Sequence, residues 1–213
     1  MSSALVVGST GLVGTECLRQ LSRDPAHRPV IALTRRPLPG DVPATVTERV
    51  ISFDRLEAHR AEVSGDHVFC ALGTTIRKAG SRERFRQIDH DLPLSIARMA
   101  LENGARHFSL VSATGANPAS RVFYNRVKGE LERDIQELGY PSLVILRPSV
   151  LAGERAERRP LESLGRLLLR AVPGRYHPVH ARAVAATMGH LAREEPSGVR
   201  VIESEEIRRL GGR

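Results

Sequence analysis

The stretch Ala4-Leu5-Val6-Val7-Gly8-Ser9-Thr10-Gly11-Leu12-Val13-Gly14 limits what this chain can fold into more than any other. Four consecutive apolar residues predict a buried strand, the glycines at 8, 11 and 14 predict a tight turn, and Leu12 to Leu21 has the spacing of an amphipathic helix. A helix N-terminus carries unbonded N–H groups and the positive end of a dipole, and glycine lets backbone come close, so strand, turn and helix together suit a phosphate. Gly8, Ser9, Thr10, Gly11, Leu12, Val13 and Gly14 are therefore expected to hold the pyrophosphate of a dinucleotide. Many glycines only make turns, and a purely structural turn is the alternative.

The rest of the chain repeats the alternation that this unit begins. Apolar runs predict strands at Pro29–Leu33, His67–Leu72, Phe108–Val111 and Ser142–Leu146, and Thr47–Ile51 would be a further strand, the third in chain order. Helical spacing predicts a surface helix over Arg55–Glu62, a helix over Arg82–Asn103 interrupted at Pro93, and a long helix from about Ser120 to Leu138 that Gly139 ends. Strand and helix alternating from residue 4 to residue 147 give an α/β fold: a Rossmann-like doubly wound parallel sheet with helices on both faces. At 213 residues one domain is expected, with 1–148 as the core and 149–213 as a small lid over the substrate. That lid should hold an apolar helix over Leu161–Val172, a further helix from Ala181 and a helix start at Ser204.

In such a sheet, ligands lie at the carboxyl ends of the strands. The second strand ends in Arg35-Arg36, where an acidic residue would accept from a ribose hydroxyl and a guanidinium would pair a 2'-phosphate. The pair predicts NADP(H). Phe53-Asp54, after the third strand, should lie by the adenine, and Ala71-Leu72-Gly73-Thr74 at the end of the fourth strand should border the cofactor. Lys78 lies in the glycine-bracketed loop that follows, as a phosphate or substrate contact or as a solvated side chain.

Composition removes several alternatives. The formal charge of +8 is spread along the chain with no aromatic-interleaved basic run, which disfavours nucleic acid and suits an anionic small ligand. No apolar run approaches membrane-spanning length, and the chain enters its first strand without a leader-like segment. Cys17 and Cys70 have no metal-ligand spacing and read as buried thiols in a reducing compartment, the cytoplasm. Of the 32 basic residues only Lys78 and Lys128 are lysine, so a compact ammonium stands at just two positions.

One of those lysines belongs to Tyr124-Asn125-Arg126-Val127-Lys128 on the long predicted helix, a spacing that puts both side chains on one face. Ser112 ends the fifth strand twelve residues earlier. With these motifs the chain resembles the short-chain dehydrogenase/reductase superfamily: the glycine turn, Tyr124 and Lys128 as its Y-x-x-x-K, and Ser112 as its active-site serine. More narrowly it is similar to the atypical subgroup of the Tat-interacting protein. That similarity rests on Cys70 to Thr75 with Arg77 to Gly80, on Phe123-Tyr124 through Glu132, and on Arg147-Pro148 with Gly153-Glu154-Arg155.

The resemblance implies Ser112, Tyr124 and Lys128 as catalytic residues, Tyr124, Lys128 and Pro148 as further cofactor contacts, and hydride transfer to or from a small carbonyl or alcohol. A phenol with an ordinary pKa near 10 needs a neighbouring cation to cycle at neutral pH, and Lys128 is that cation. Where many relatives have a relay asparagine, the nearest residue is Asp89, able to strengthen the lysine's charge or merely to cap a helix. His177 and His180 are candidate substrate contacts. The short C-terminal third disfavours a nucleotide-sugar pocket. A non-catalytic NADP(H) sensor or assembly factor is the alternative function, and a homodimer stays open.

Overall fold

The computed structural model describes residues 1–40, 42–152 and 177–212. The strands β1 (Ser2–Val7), β2 (His27–Thr34), β3 (Val46–Val50), β4 (His67–Cys70), β5 (His107–Val111), β6 (Ser142–Arg147) and β9 (Gly198–Glu203) form one sheet in the order β3-β2-β1-β4-β5-β6-β9. Every neighbouring pair is parallel. Two short strands, β7 (Leu151–Ala152) and β8 (Val179–His180), pair separately.

The central strand explains itself. Ala4, Leu5, Val6 and Val7 are fully buried, as an unbroken apolar run requires when both faces of a sheet are covered. Ala4 and Val6 face a core built with α1 (Leu12–Leu21) and α6 (Ala181–Glu194), where Val13, Cys17, Leu18 and Leu21 meet Ala185, Met188, Leu191 and Ala192. Leu5 and Val7 face the opposite core, filled by Ile96, Met99 and Ala100 of α4 (Leu92–Glu102) and by Leu131 and Ile135 of α5 (Phe123–Gln136). Each fully buried leucine or isoleucine is worth about 1.5–3 kcal/mol against exposure, so these two layers hold the sheet. Burial pushes the Cys17 thiol up to about 12 and the Cys70 thiol up to about 11, which makes both of them packing groups.

Three expectations are corrected. Arg55–Glu62 is not an α-helix but the latter part of a 3₁₀ segment, Phe53–Glu62, broken at Arg55 and His59, because only Leu56 of this polar stretch is buried. The expected interruption of Arg82–Asn103 is present, but it falls just before Pro93 rather than at it. The segment divides into α3 (Arg82–Arg86), a wide π turn (Gln87–Asp91) and α4, with Pro93 in the first turn of α4, where its missing N–H is not needed. A short α2 (Ile76–Ala79) precedes them.

The third correction concerns the C-terminal residues. Those at 177–212 do not form only a lid: β9 adds the seventh strand beside β6, α6 lies against α1, and α7 (Ser204–Gly211) packs behind with Ile207 buried. Strand β9 escaped the apolar-run test because it is an edge strand, with only Ile202 of its six residues buried. The expected helix over Leu161–Val172 and the Gly153-Glu154-Arg155 motif lie outside the described residues. Among the described residues no helix is long and apolar enough to cross a membrane.

At the amino ends of the strands three histidines are buried side by side. His27 Nε2 lies 3.1 Å from His67 Nδ1, and the His67 ring lies 5.4 Å from that of His107. The His107 nitrogens are 2.8 Å from Ser142 Oγ and 2.7 Å from Ser109 Oγ. Burial, aided by His67, pushes His107 down to about 3. Above a pH of about 6.5 His107 is neutral folded or unfolded; between there and about 3 only the unfolded chain takes the proton, so stability falls with pH at up to about 1.4 kcal/mol per unit. His107→Gln should flatten the decline of the urea midpoint between pH 7 and 4. An identical slope would show that His107 is not the source.

Candidate functional site

The strand order reverses between β1 and β4, and the crevice at their carboxyl ends is where an open parallel sheet binds ligands. The turn after β1 is held there by three contacts that only glycine permits. Gly8 has φ +83, and a Cβ on it would stand 2.6 Å from the Ala71 carbonyl carbon and 2.8 Å from the Leu72 nitrogen. A Cβ on Gly14 would stand 2.2 Å from the Gly8 oxygen. Gly11 is less confined, at 3.2 Å from the same oxygen, and its N–H donates to it at 2.9 Å. Thus Gly8 locks the turn onto β4, Gly14 locks α1 onto the turn, and Gly11 borders the open cleft. Helix α1 begins at Gly11 without a side-chain cap and without an acidic residue in its first turn, which leaves its N-terminal end to an anion.

Two connected cavities follow the strand ends. One of about 710 Å³ is bordered by Gly8, Thr10 and Gly11, by Phe53 and Asp54, by Ala71, Leu72, Gly73 and Thr74, and by Lys78 on α2. The other, of about 280 Å³, is bordered by Ser9, Thr10, Thr34, Arg35, Arg36 and Phe53. Arg35 borders both and is exposed, as is Arg36. Ser9 Oγ and Thr34 Oγ1 are buried without a hydrogen-bond partner among the described residues. Two orphaned hydroxyls, an uncapped helix and a glycine cradle fit a nucleotide with its phosphates.

Behind Gly73 lies the lysine. Lys128 Nζ is 2.9 Å from Asp89 Oδ1, with both side chains buried, and Asp89 Oδ2 accepts the Thr74 N–H at 2.8 Å. Burial works against the ammonium, but Asp89 and then Tyr124 outweigh it and hold Lys128 above its usual range. Tyr124 is half-buried one turn before Lys128 on α5, with its ring 5.6 Å from Phe85. Gly129, which sequence reasoning passed over, lets the 113–118 loop lie on this helix: a Cβ there would stand 2.3 Å from Pro118 N. Its place right after the lysine was the available signal.

Ser112 is engaged elsewhere. Its hydroxyl donates to Glu132, one turn beyond Lys128, and Glu132 is held in turn by Arg147 at 2.6 Å. A serine has one O–H to give, and here it is taken. The Pro148 carbonyl accepts the Thr114 N–H at 3.0 Å, and Pro148 borders neither cavity. His177 and His180 also border neither. His177 lends its carbonyl to Ser149 and Arg208, and His180 is exposed at the start of α6. Among the described residues no His, Cys, Asp and Glu cluster could hold a metal.

Parallel sheet, glycine turn and strand-end cleft define a nucleotide-binding Rossmann protein. The chain belongs to the NAD dependent epimerase/dehydratase family, whose model matches residues 4–179. It is 38% identical to Protein FMP52, mitochondrial, of Eremothecium gossypii over 96% of this chain and 95% of that protein. It is 32% identical to Protein HTATIP2 of Rattus norvegicus over 98% and 89%, which bears out the resemblance to the Tat-interacting subgroup. In fold it is similar to a solved structure of MoeE5 in complex with UDP-glucose and NAD, with a TM-score of 0.70 at 17% identity, over 99% of this chain and 81% of that one.

The relatives correct one expectation. Several fungal FMP52 proteins are named mitochondrial, which overturns the cytoplasmic assignment. Buried thiols report a reducing environment, and the cytoplasm is not the only one.

The glycine contacts predict two separable outcomes. Gly14→Ala should cost about 1–3 kcal/mol in thermal unfolding, because backbone must move to admit the methyl group. Gly11→Ala should melt closer to the unaltered protein yet lose nucleotide in a calorimetric titration. Undiminished binding by Gly11→Ala would mean that the phosphate does not approach this edge.

Proposed function

We propose that the protein is an NADP(H)-dependent oxidoreductase that transfers hydride to or from a small carbonyl or alcohol, with Tyr124 as acid/base. The observation that carries this reading is the buried Lys128–Asp89 pair, one helical turn from Tyr124 and directly behind Gly73, which borders the strand-end cleft. A bound nicotinamide cofactor would supply the hydride. Gly8, Gly11 and the start of α1 would take its pyrophosphate, and Ser9 and Thr34 offer buried hydroxyls nearby. Arg35 and Arg36 stand where a 2'-phosphate would be paired, which favours the phosphorylated cofactor over NAD(H).

Tyr124 gives or takes the proton of the substrate oxygen, and Lys128 orients the ribose and supports the phenol's change of charge. Membrane and nucleic acid have no part in this reading, and subunit pairing is left to solution measurement.

A second reading has its own support. With the Ser112 donor spent on Glu132, the substrate oxygen lacks one of the hydrogen bonds that the superfamily resemblance implies. An NADP(H)-binding regulator or assembly factor without turnover fits that state. Calorimetric titration tests the cofactor: NADPH should bind at least about tenfold tighter than NADH, a difference of about 1.4 kcal/mol, and the preference should vanish in Arg35→Ala/Arg36→Ala. Carbonyl screening then tests the chemistry, with Tyr124→Phe expected to lose about 100-fold or more in kcat while still binding NADPH. Equal turnover by Tyr124→Phe would remove the acid, and binding without turnover on any carbonyl would favour the regulator.

A further inference from the structure

Lys128 carries its charge away from water, and the charge is not bare. Asp89 sits 2.9 Å from its Nζ, and neither side chain is more than 3% exposed. Three constraints keep the carboxylate there. Its other oxygen holds the Thr74 N–H at 2.8 Å. Asp89 rides on the wide π turn Gln87–Asp91, a local departure from α geometry that re-aims side chains and is often found at functional sites. The next residue pins that turn to α5, since His90 bridges Asp91 at 2.8 Å and Asp134 at 2.9 Å. Gly73 supplies the space: a Cβ there would stand 3.4 Å from Asp89 Oδ1 and 3.8 Å from Lys128 Nζ.

Resting on the oxidoreductase reading above, we propose that Asp89 is a positioning residue that sets the protonation state in which the site rests: as fixed counter-ion of Lys128 it weakens the pull of the ammonium on the Tyr124 hydroxyl, so the phenol keeps its proton and stands ready to give it to a carbonyl oxygen. The electrostatics are simple. Coulomb energy falls only as the inverse of distance, so a carboxylate held 2.9 Å from an ammonium offsets a large part of that ammonium's effect on a neighbouring phenol. What reaches Tyr124 is the field of an ion pair.

Among the described residues, the ionisable groups around the pair are neutral or carry partners of their own. Cys70, from β4, is a buried neutral thiol. Glu132 is bound to Arg147 and Ser112, Glu130 to Arg86, and His90 to its two carboxylates. The ammonium has three hydrogens, so pairing with Asp89 leaves donors for the ribose hydroxyls of a bound cofactor. In the reduction, the carbonyl carbon gains a hydride with its electron pair from the reduced nicotinamide dinucleotide. The C=O π pair moves to oxygen, oxygen takes the Tyr124 proton, and water returns a proton to the phenolate; the products are alcohol and oxidised dinucleotide.

The test follows tyrosinate absorbance with pH, taking the Tyr124 signal as the difference between each protein and its Tyr124→Phe counterpart. In the otherwise unaltered protein no such signal should rise by pH 8, and in Asp89→Asn, which can still accept the Thr74 N–H, it should rise at least about one unit lower than in the parent, a tenfold shift of the equilibrium. The alkaline limb of the carbonyl-reduction profile should move the same way. Tyrosinate already present at pH 7 in the unaltered protein would overturn the proposal, a result that needs no Asp89 variant to fold. An unmoved signal in folded Asp89→Asn would overturn it equally. A shifted signal with no turnover on any carbonyl would support the charge coupling and sink the oxidoreductase reading, so the two failures are distinct.

Discussion

The close approach of the Gly8 turn to the end of β4 is the constraint on which the rest depends. No side chain fits between Gly8 and Ala71, nor between Gly14 and Gly8, so β1, α1 and β4 are drawn together at the point where the sheet changes direction. The same contact does two things. It closes the core on the α1 face and leaves the first turn of α1 directed at the strand-end cleft, so the turn that packs the fold also prepares an anion site. This is why the first fourteen residues predict so much of the chain.

The second centre is electrostatic and buried. Lys128, Asp89 and the Thr74 amide join three segments far apart in sequence: the long helix α5, the π turn and the loop after β4. A charged pair out of water is costly to assemble and contributes little net stability against an apolar replacement. Its place behind Gly73, a residue of the cleft wall, therefore argues for chemistry more than for folding.

Legibility followed the physics of burial. Strands β1, β2, β4, β5 and β6 were readable because each carries a buried apolar run, and the edge strand β3, with only Val46 buried, was placed by the strand–helix alternation around it. Strand β9 was not, since at the sheet edge only Ile202 is buried and Val199 and Val201 are exposed. The Tyr124–Lys128 face was readable because helix spacing is local. The Lys128–Asp89 pair spans 39 positions, and the π turn that delivers Asp89 has no sequence signature of its own; spacing could raise the residue but not show what it touches. The Ser112–Glu132–Arg147 contact failed for the same reason, because a strand-end serine in the expected place says nothing of which acceptor takes its proton.

The short pairing of β7 with β8 has a wider consequence. Leu151 is opposite Val179 and Ala152 opposite His180, and the Val179 N–H also donates to the Val150 carbonyl at 2.9 Å. The pairing ties Leu151 to Val179, 28 positions apart in sequence, beside the main sheet, which resumes at β9 next to β6. The entropy of closing a chain grows only with the logarithm of the number of residues between its ends, so a tie across this distance costs little more than one across half of it. A ladder of two residues is thereby enough to fasten the start of α6 close to the end of β6 without taking any strand from the main sheet.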